Sequence, residues 1–177
     1  TGNVSRLVID LNRSPRNRSL FGHVTGTLER SRKDELVERY LLPYRRSVAE
    51  YIRRGTGRGI LCHVSVHSFT PVLNGVRRNC SAGLLYDPSR RLEKDLCLRW
   101  KELLDPLYRV RLNYPYRGTS DGCVTSFRRE FQADRYVGVE LELNQELFLQ
   151  DKGVIPSLAC DMAVALMSAA ERTLAGH

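Results

Sequence analysis

A chain of 177 residues with 42% hydrophobic and 27% charged side chains is sized for one globular domain that buries roughly two-thirds of its unfolded surface; it has no 18-residue apolar run to cross a membrane and no basic, signal-like start. The net charge of +8 is carried by 24 arginines among 28 basic residues and spread along the chain, and with no nucleic-acid motif or aromatic interleaving beside it, it reads as a solvated arginine-rich surface rather than a phosphate-binding face. Five cysteines, odd in number and without a C-x-x-C pair, read as reduced thiols, which makes the cytoplasm the default expectation.

The chain enters an apolar stretch within six residues of Thr1, and we expect a single domain that lacks an N-terminal segment. Residues 6–11, RLVIDL, predict a buried strand that ends in Asn12 and Arg13 at an N-R-S-P turn. Residues 14–31 predict a long loop. From Ser31 to Ile52 the apolar residues recur at helical spacing, and Pro43 predicts a kink or a second helix starting there.

Residues 60–67 predict a short strand that opens into a loop at His67, with Pro71 closing the turn. Residues 82–86 predict a short strand or extended segment, and Asp87-Pro88 a helix start, with the helix running to about residue 104. A third strand is expected at 108–112, a turn-rich loop from Asn113 through Gly122, and a short helix at 124–131. Residues 136–143 alternate, with Val137, Val139, Leu141 and Leu143 on one face and Tyr136, Gly138, Glu140 and Glu142 on the other. The Ala- and Leu-rich stretch 156–174 predicts a last helix packed on the sheet.

This alternation predicts an α/β three-layer sandwich with a largely parallel or mixed central sheet. Ligands bind beyond the carboxyl ends of such strands, and Asn12, Arg13, His67, Ser68, Asn113 and Glu142 are all expected there. His67 is either a hydrogen-bonded structural histidine or a metal ligand. His63 and His67 are four residues apart, about 13 Å along a strand, so only one of them fits a single ion. Glu140 and Glu142 are either a solvated sheet face or a site in which Glu142, nearer the strand end, acts as general base beside Glu140. Arg13 forms either a surface ion pair or a two-pronged grip on a substrate carboxylate, and Arg117 in the PYRG loop suits binding or oxyanion stabilisation.

Taken together, SRLVIDLNRSP at 5–15, VSVHSFTP at 64–71, NYPYRG at 113–118 and YVGVELELNQ at 136–145 resemble the N-formylglutamate amidohydrolase family, within the wider zinc carboxypeptidase-like group. The resemblance implies that Asn12 and Arg13 bind the substrate carboxylate, His67 ligates Zn2+ and Glu142 is the general base. It implies a zinc-dependent amidohydrolase acting on a small acidic N-acyl amino acid or peptide. It also places a further His and an acidic zinc ligand upstream of Thr1. The alternatives are a carboxypeptidase-like peptidase and a non-catalytic carboxylate-binding module.

Overall fold

The computed structural model describes residues 4–150 and 154–175. Helix α1 (Arg30–Leu36) passes through a π-helical turn (Val37–Leu41) into α2 (Leu42–Thr56), and strand β1 (Leu61–Phe69) follows. A small hairpin, β2 (Val72–Leu73) and β3 (Val76–Arg77), leads to β4 (Ala82–Leu85), α3 (Arg91–Leu104), β5 (Val110–Leu112) and α4 (Cys123–Glu130). The chain ends with β6 (Tyr136–Asn144), α5 (Glu146–Gln150) and α6 (Val154–Leu174). No helix among the described residues is long and apolar enough to cross a membrane.

The sheet order is β1-β6-β4-β5, with β1/β6 and β4/β5 parallel and β4/β6 antiparallel. The sheet is therefore mixed, as the α/β expectation allowed. A parallel connection needs a crossover of a dozen or more residues, usually helical. Between β1 and β4 the chain makes a hairpin and no helix, and β4 returns beside β6 in the opposite sense.

Alternation along β6 divides the core between the two faces. Val137, Val139 and Leu141 pack with Ala82 and Leu84 of β4, Leu96 and Trp100 of α3, and Leu158 and Met162 of α6. The Trp100 indole donates to the Met162 carbonyl at 3.1 Å, and α6 lies chiefly along α3. On the other face Tyr136 packs with Cys123 and Phe127 of α4 and Ile52 of α2. Helices thus flank the sheet on both sides, giving the three layers expected.

Three local expectations are corrected. Residues 6–11 form turns rather than a strand: Val8 N–H bonds Ser5 O at 2.9 Å, and Asp10 N–H bonds Leu20 O at 2.8 Å. Ile9 is buried there with Leu20 and Leu41, and the Arg6–Asp10 pair closes the turn, so the apolar run reports burial and not extension. Helix α3 begins at Arg91, because the Asp87 carboxylate accepts from Ser89 N–H at 2.9 Å and the Ser89 hydroxyl at 2.7 Å, making a turn of its own. Strand β1 runs two residues past His67, held in register by β6 as far as Phe69↔Asn144. The π-helical turn falls immediately before Pro43, which has no N–H to continue the ladder, so the predicted interruption is present.

Candidate active site

The parallel register sets Ser65 beside Glu140, His67 beside Glu142 and Phe69 beside Asn144. Since Val137, Val139 and Leu141 face the core, these six residues share the opposite face. Across the sheet Gly83 stands opposite Glu142 and Leu85 opposite Glu140. Over this face lies a cavity of about 280 Å3. Its floor is His67, Ser68, Leu85, Glu140 and Glu142; one wall is Arg6, Asn12 and Arg13, the other Tyr116, Arg117, Ser120 and Asp121. Asn12, Arg13, His67, Arg117 and Glu142, chosen from sequence, therefore line one cavity.

The first wall is held by Arg45 of α2, whose guanidinium donates to the carbonyls of Leu11 at 3.2 Å, Asn12 at 3.2 Å and Arg13 at 3.0 Å, and to the Ser126 hydroxyl. Asn12 Oδ1 accepts from Cys123 N–H at 2.7 Å at the start of α4, and the Asn12 side chain also bonds Glu140. Arg13 Nη1 donates to Asp121 O at 2.8 Å, while its Nε lies 3.7 Å from Asp10. Asp10 is buried, receives two bonds from Arg6 at 3.1 and 2.7 Å, and accepts Asn12 N–H at 3.0 Å.

The second wall crosses the sheet because glycines let it. A Cβ on Gly83 would lie 1.8 Å from Tyr114 O, and one on Gly118 would lie 2.2 Å from Tyr86 N. Asn113, with φ of 50°, accepts from Tyr86 N–H at 3.1 Å and Gly118 N–H at 2.9 Å through Oδ1. It thus braces the loop and does not line the cavity, contrary to expectation. With β4 and β5 antiparallel to β6, their carboxyl ends lie at the opposite edge of the sheet from that of β6.

Burial first, and then the neighbouring Glu140 carboxylate, push Glu142 up to about 7, against the pull of Arg6, Arg78 and Arg13. Glu142 Oε2 is buried without a hydrogen-bond partner among the described residues. Burial also raises Glu140, opposed by Arg128, Arg13 and the Asn12 bond. His67 is lowered by burial and then by Arg6, with Asp10 opposing, so its ring is neutral at neutral pH. Ser65 Oγ lies 2.9 Å from His67 Nε2, which leaves Nδ1 as the ring nitrogen able to donate a lone pair to a metal ion. His63 instead bonds the Tyr136 hydroxyl through Nδ1 at 2.8 Å, and burial takes it down to about 4.

For zinc, the described residues thus offer one imidazole at the cavity and the unpartnered Glu142 oxygen near it. No group of three His, Cys, Asp or Glu side chains able to hold one metal ion occurs among them. They fit one corner of a zinc site and not a complete one. The reading from sequence missed Ser65, although strand alternation puts it on the face of His67. It also missed Arg6 and Asp10, hidden by the strand expected at 6–11, and Tyr116 and Asp121, whose loop has no period to read.

The profile of a family described as N-formylglutamate amidohydrolase matches residues 1–149. No curated protein sequence matches the chain. Among solved structures, a gene product from Agrobacterium tumefaciens is similar with 28% identity and a TM-score of 0.72, over 93% of this chain and 68% of that one. An N-formylglutamate amidohydrolase from Ralstonia eutropha is similar with a TM-score of 0.74, over 97% of this chain and 75% of that one; at 18% identity this likeness speaks for the fold.

Proposed function

Because this chain belongs to the N-formylglutamate amidohydrolase family, a family of hydrolases, we propose that it cleaves the amide of an N-formyl or N-acyl amino acid, N-formylglutamate first among them, to give formate and glutamate. The observation that carries the reading is Glu142: a buried carboxylate with one unpartnered oxygen, facing a cavity beside His67 and titrating near 7. A general base works best when its pKa lies near the operating pH.

In this reading the substrate carboxylate lies against Arg13 and Asn12. The Asp121 carbonyl and Asp10 already orient the Arg13 guanidinium, so it binds with little reorganisation. Glu142 takes a proton from the water that attacks the acyl carbon and passes it to the departing nitrogen as the C–N bond breaks. Arg117, exposed at the cavity, stabilises charge growing on the carbonyl oxygen. Glu140 keeps the affinity of Glu142 for that proton high. Zinc, when bound, supplies a water of lowered pKa at neutral pH. His67 would hold it through Nδ1.

The test is formate release from N-formylglutamate by the zinc-supplied protein and its Glu142→Ala variant, with zinc per chain measured alongside. The variant is expected to lose at least about 100-fold in kcat while calorimetric ligand binding persists. Hydrolysis retained in the variant would remove Glu142 as the base. Binding without turnover or zinc uptake in the wild type would make the site a carboxylate-binding module.

A further inference from the structure

A second cavity, of about 140 Å3, opens where the carboxyl end of β6 meets the amino ends of β4 and β5. Neither His67 nor Glu142 lines it. The sheet brings these ends together: Asn144 N–H bonds Ser81 O at 2.9 Å, and Ser81 N–H bonds Arg109 O at 2.8 Å. The buried Asn144 side chain then fixes the segment entering β4, donating to Cys80 O at 2.9 Å and accepting Glu146 N–H at 3.0 Å.

Three guanidiniums, of Arg77, Arg78 and Arg109, and one carboxylate, of Glu146, line this cavity. Arg77 Nη2 bonds both Glu146 oxygens, at 2.7 and 3.0 Å. Arg78 donates to the Tyr116 hydroxyl, and its charge acts on Glu142 at the neighbouring cavity. Arg109 pairs with no carboxylate among the described residues. Burial raises the Cys80 thiol, and Arg111, Arg109 and Arg78 all oppose it, so three positive fields converge there. Within the lining, three guanidiniums against one carboxylate leave an excess of two positive charges.

The side chains of Asn79 and Ser81, which bond no described residue, add an amide and a hydroxyl to the arginine donors. A phosphoryl group suits such a set, since it carries about 1.5 to 2 negative charges at neutral pH and three strong acceptor oxygens. The cavity lies well below the roughly 300 Å3 at which pockets enclose drug-sized molecules, so it takes one such group and not a whole nucleotide.

We propose that this cavity is an oxyanion site, separate from the one that holds Glu142, which binds a phosphoryl group, free or as a phosphate monoester, through Arg77, Arg109, Asn79 and Ser81, with Arg78 adding charge. It needs no hydrolytic activity and stands apart from the amidohydrolase reading.

The experiment is calorimetric titration of the protein with inorganic phosphate at fixed ionic strength, repeated with glycerol 3-phosphate and with acetate. Saturable binding of phosphate is expected, with acetate at least about 10-fold weaker because it brings less charge and fewer oxygens. Arg109→Met should weaken phosphate binding by roughly 10-fold or more, the scale of a charge-assisted hydrogen bond, and Glu146→Gln should tighten it severalfold by removing the competing carboxylate. Arg117→Met, at the other cavity, and Arg39→Met, exposed on the π-helical turn, should leave it unchanged. Glycerol 3-phosphate supports the site either way: binding as tight as phosphate assigns it to the phosphoryl group of a larger molecule, and much weaker binding assigns it to free phosphate. No saturable binding, acetate as tight as phosphate, or a loss in Arg117→Met or Arg39→Met equal to that in Arg109→Met would overturn the site. If Arg109→Met does not fold, Glu146→Gln decides, and phosphate binding that is unchanged or weaker in that variant would also overturn it.

Discussion

At the scale of single residues, Glu142 is where function and stability pull apart. Its carboxyl holds a proton up to about pH 7 in the folded chain, against an ordinary value of 4.5 when unfolded. Between those values the folded state binds more protons than the unfolded state, so this group's contribution to stability falls as pH rises from 4.5 to 7. Activity runs the other way, because a base must be ionised to accept a proton. The acid limb of kcat/KM is therefore expected to rise through about pH 7. Glu142→Gln, which keeps the shape and removes the charge, should abolish turnover and yet gain up to roughly 3 kcal/mol over the wild type at pH 8, with little difference at pH 4. Urea unfolding at the two pH values measures it. Equal stability of the two proteins at pH 8 would mean that the buried carboxylate ionises at no cost.

At the scale of elements, the loop 113–118 reaches the cavity only because β4 has no side chain at Gly83. Gly83→Ala drives a methyl into the Tyr114 carbonyl, 1.8 Å from its ideal position, and the loop must lift. A loss of about 1–3 kcal/mol in stability is expected, with a raised KM because Tyr116 and Arg117 move with the loop. An unchanged KM in the folded variant would detach the loop from substrate binding. This contact also marks the limit of what one sequence discloses. β6 was legible because Val137, Val139, Leu141 and Leu143 alternate with Glu140 and Glu142, a local period that burial on one face enforces. Pro43 was legible because a missing N–H acts within one turn, and His67 and Glu142 followed from placing each near the end of a strand, whereas Asn12 and Arg13 were set at the end of a strand that is not there and Arg117 in a loop. Residues 6–11 and Asp87-Pro88 were misread where side chains competed with the backbone pattern, through the Arg6–Asp10 pair and the Asp87–Ser89 turn. The antiparallel β4/β6 pairing and the crossing over Gly83 depend on residues far apart in the chain, and no local pattern encodes them.

At the scale of the whole molecule, the layers are tied where the sheet runs out of strand. β4 pairs with β6 only from Glu140 to Leu143, leaving the stretch of β6 before it without that neighbour. Side chains take the missing strand's place: Glu93 of α3 accepts Gly138 N–H at 3.1 Å, Arg128 of α4 donates to Gly138 O at 2.8 Å, and Arg90 donates to Tyr136 O at 3.1 Å. Glu93 is fully buried and bonds Arg128 at 3.0 Å, while Arg128 also holds the Gly118 carbonyl of the cavity loop. One buried ion pair thus joins α3, α4, β6 and the second wall of the site. Arg128→Met strands the Glu93 carboxylate and should cost about 3–5 kcal/mol. Adding Glu93→Leu removes that stranded charge, so the double variant should be more stable than Arg128→Met alone. It should still fall at least about 1 kcal/mol short of the wild type, because the Gly138 N–H and C=O then have no partner. Urea unfolding of the four proteins measures the cycle: strictly additive losses would deny the coupling, and a double variant as stable as the wild type would show that the pair does not stand in for a strand.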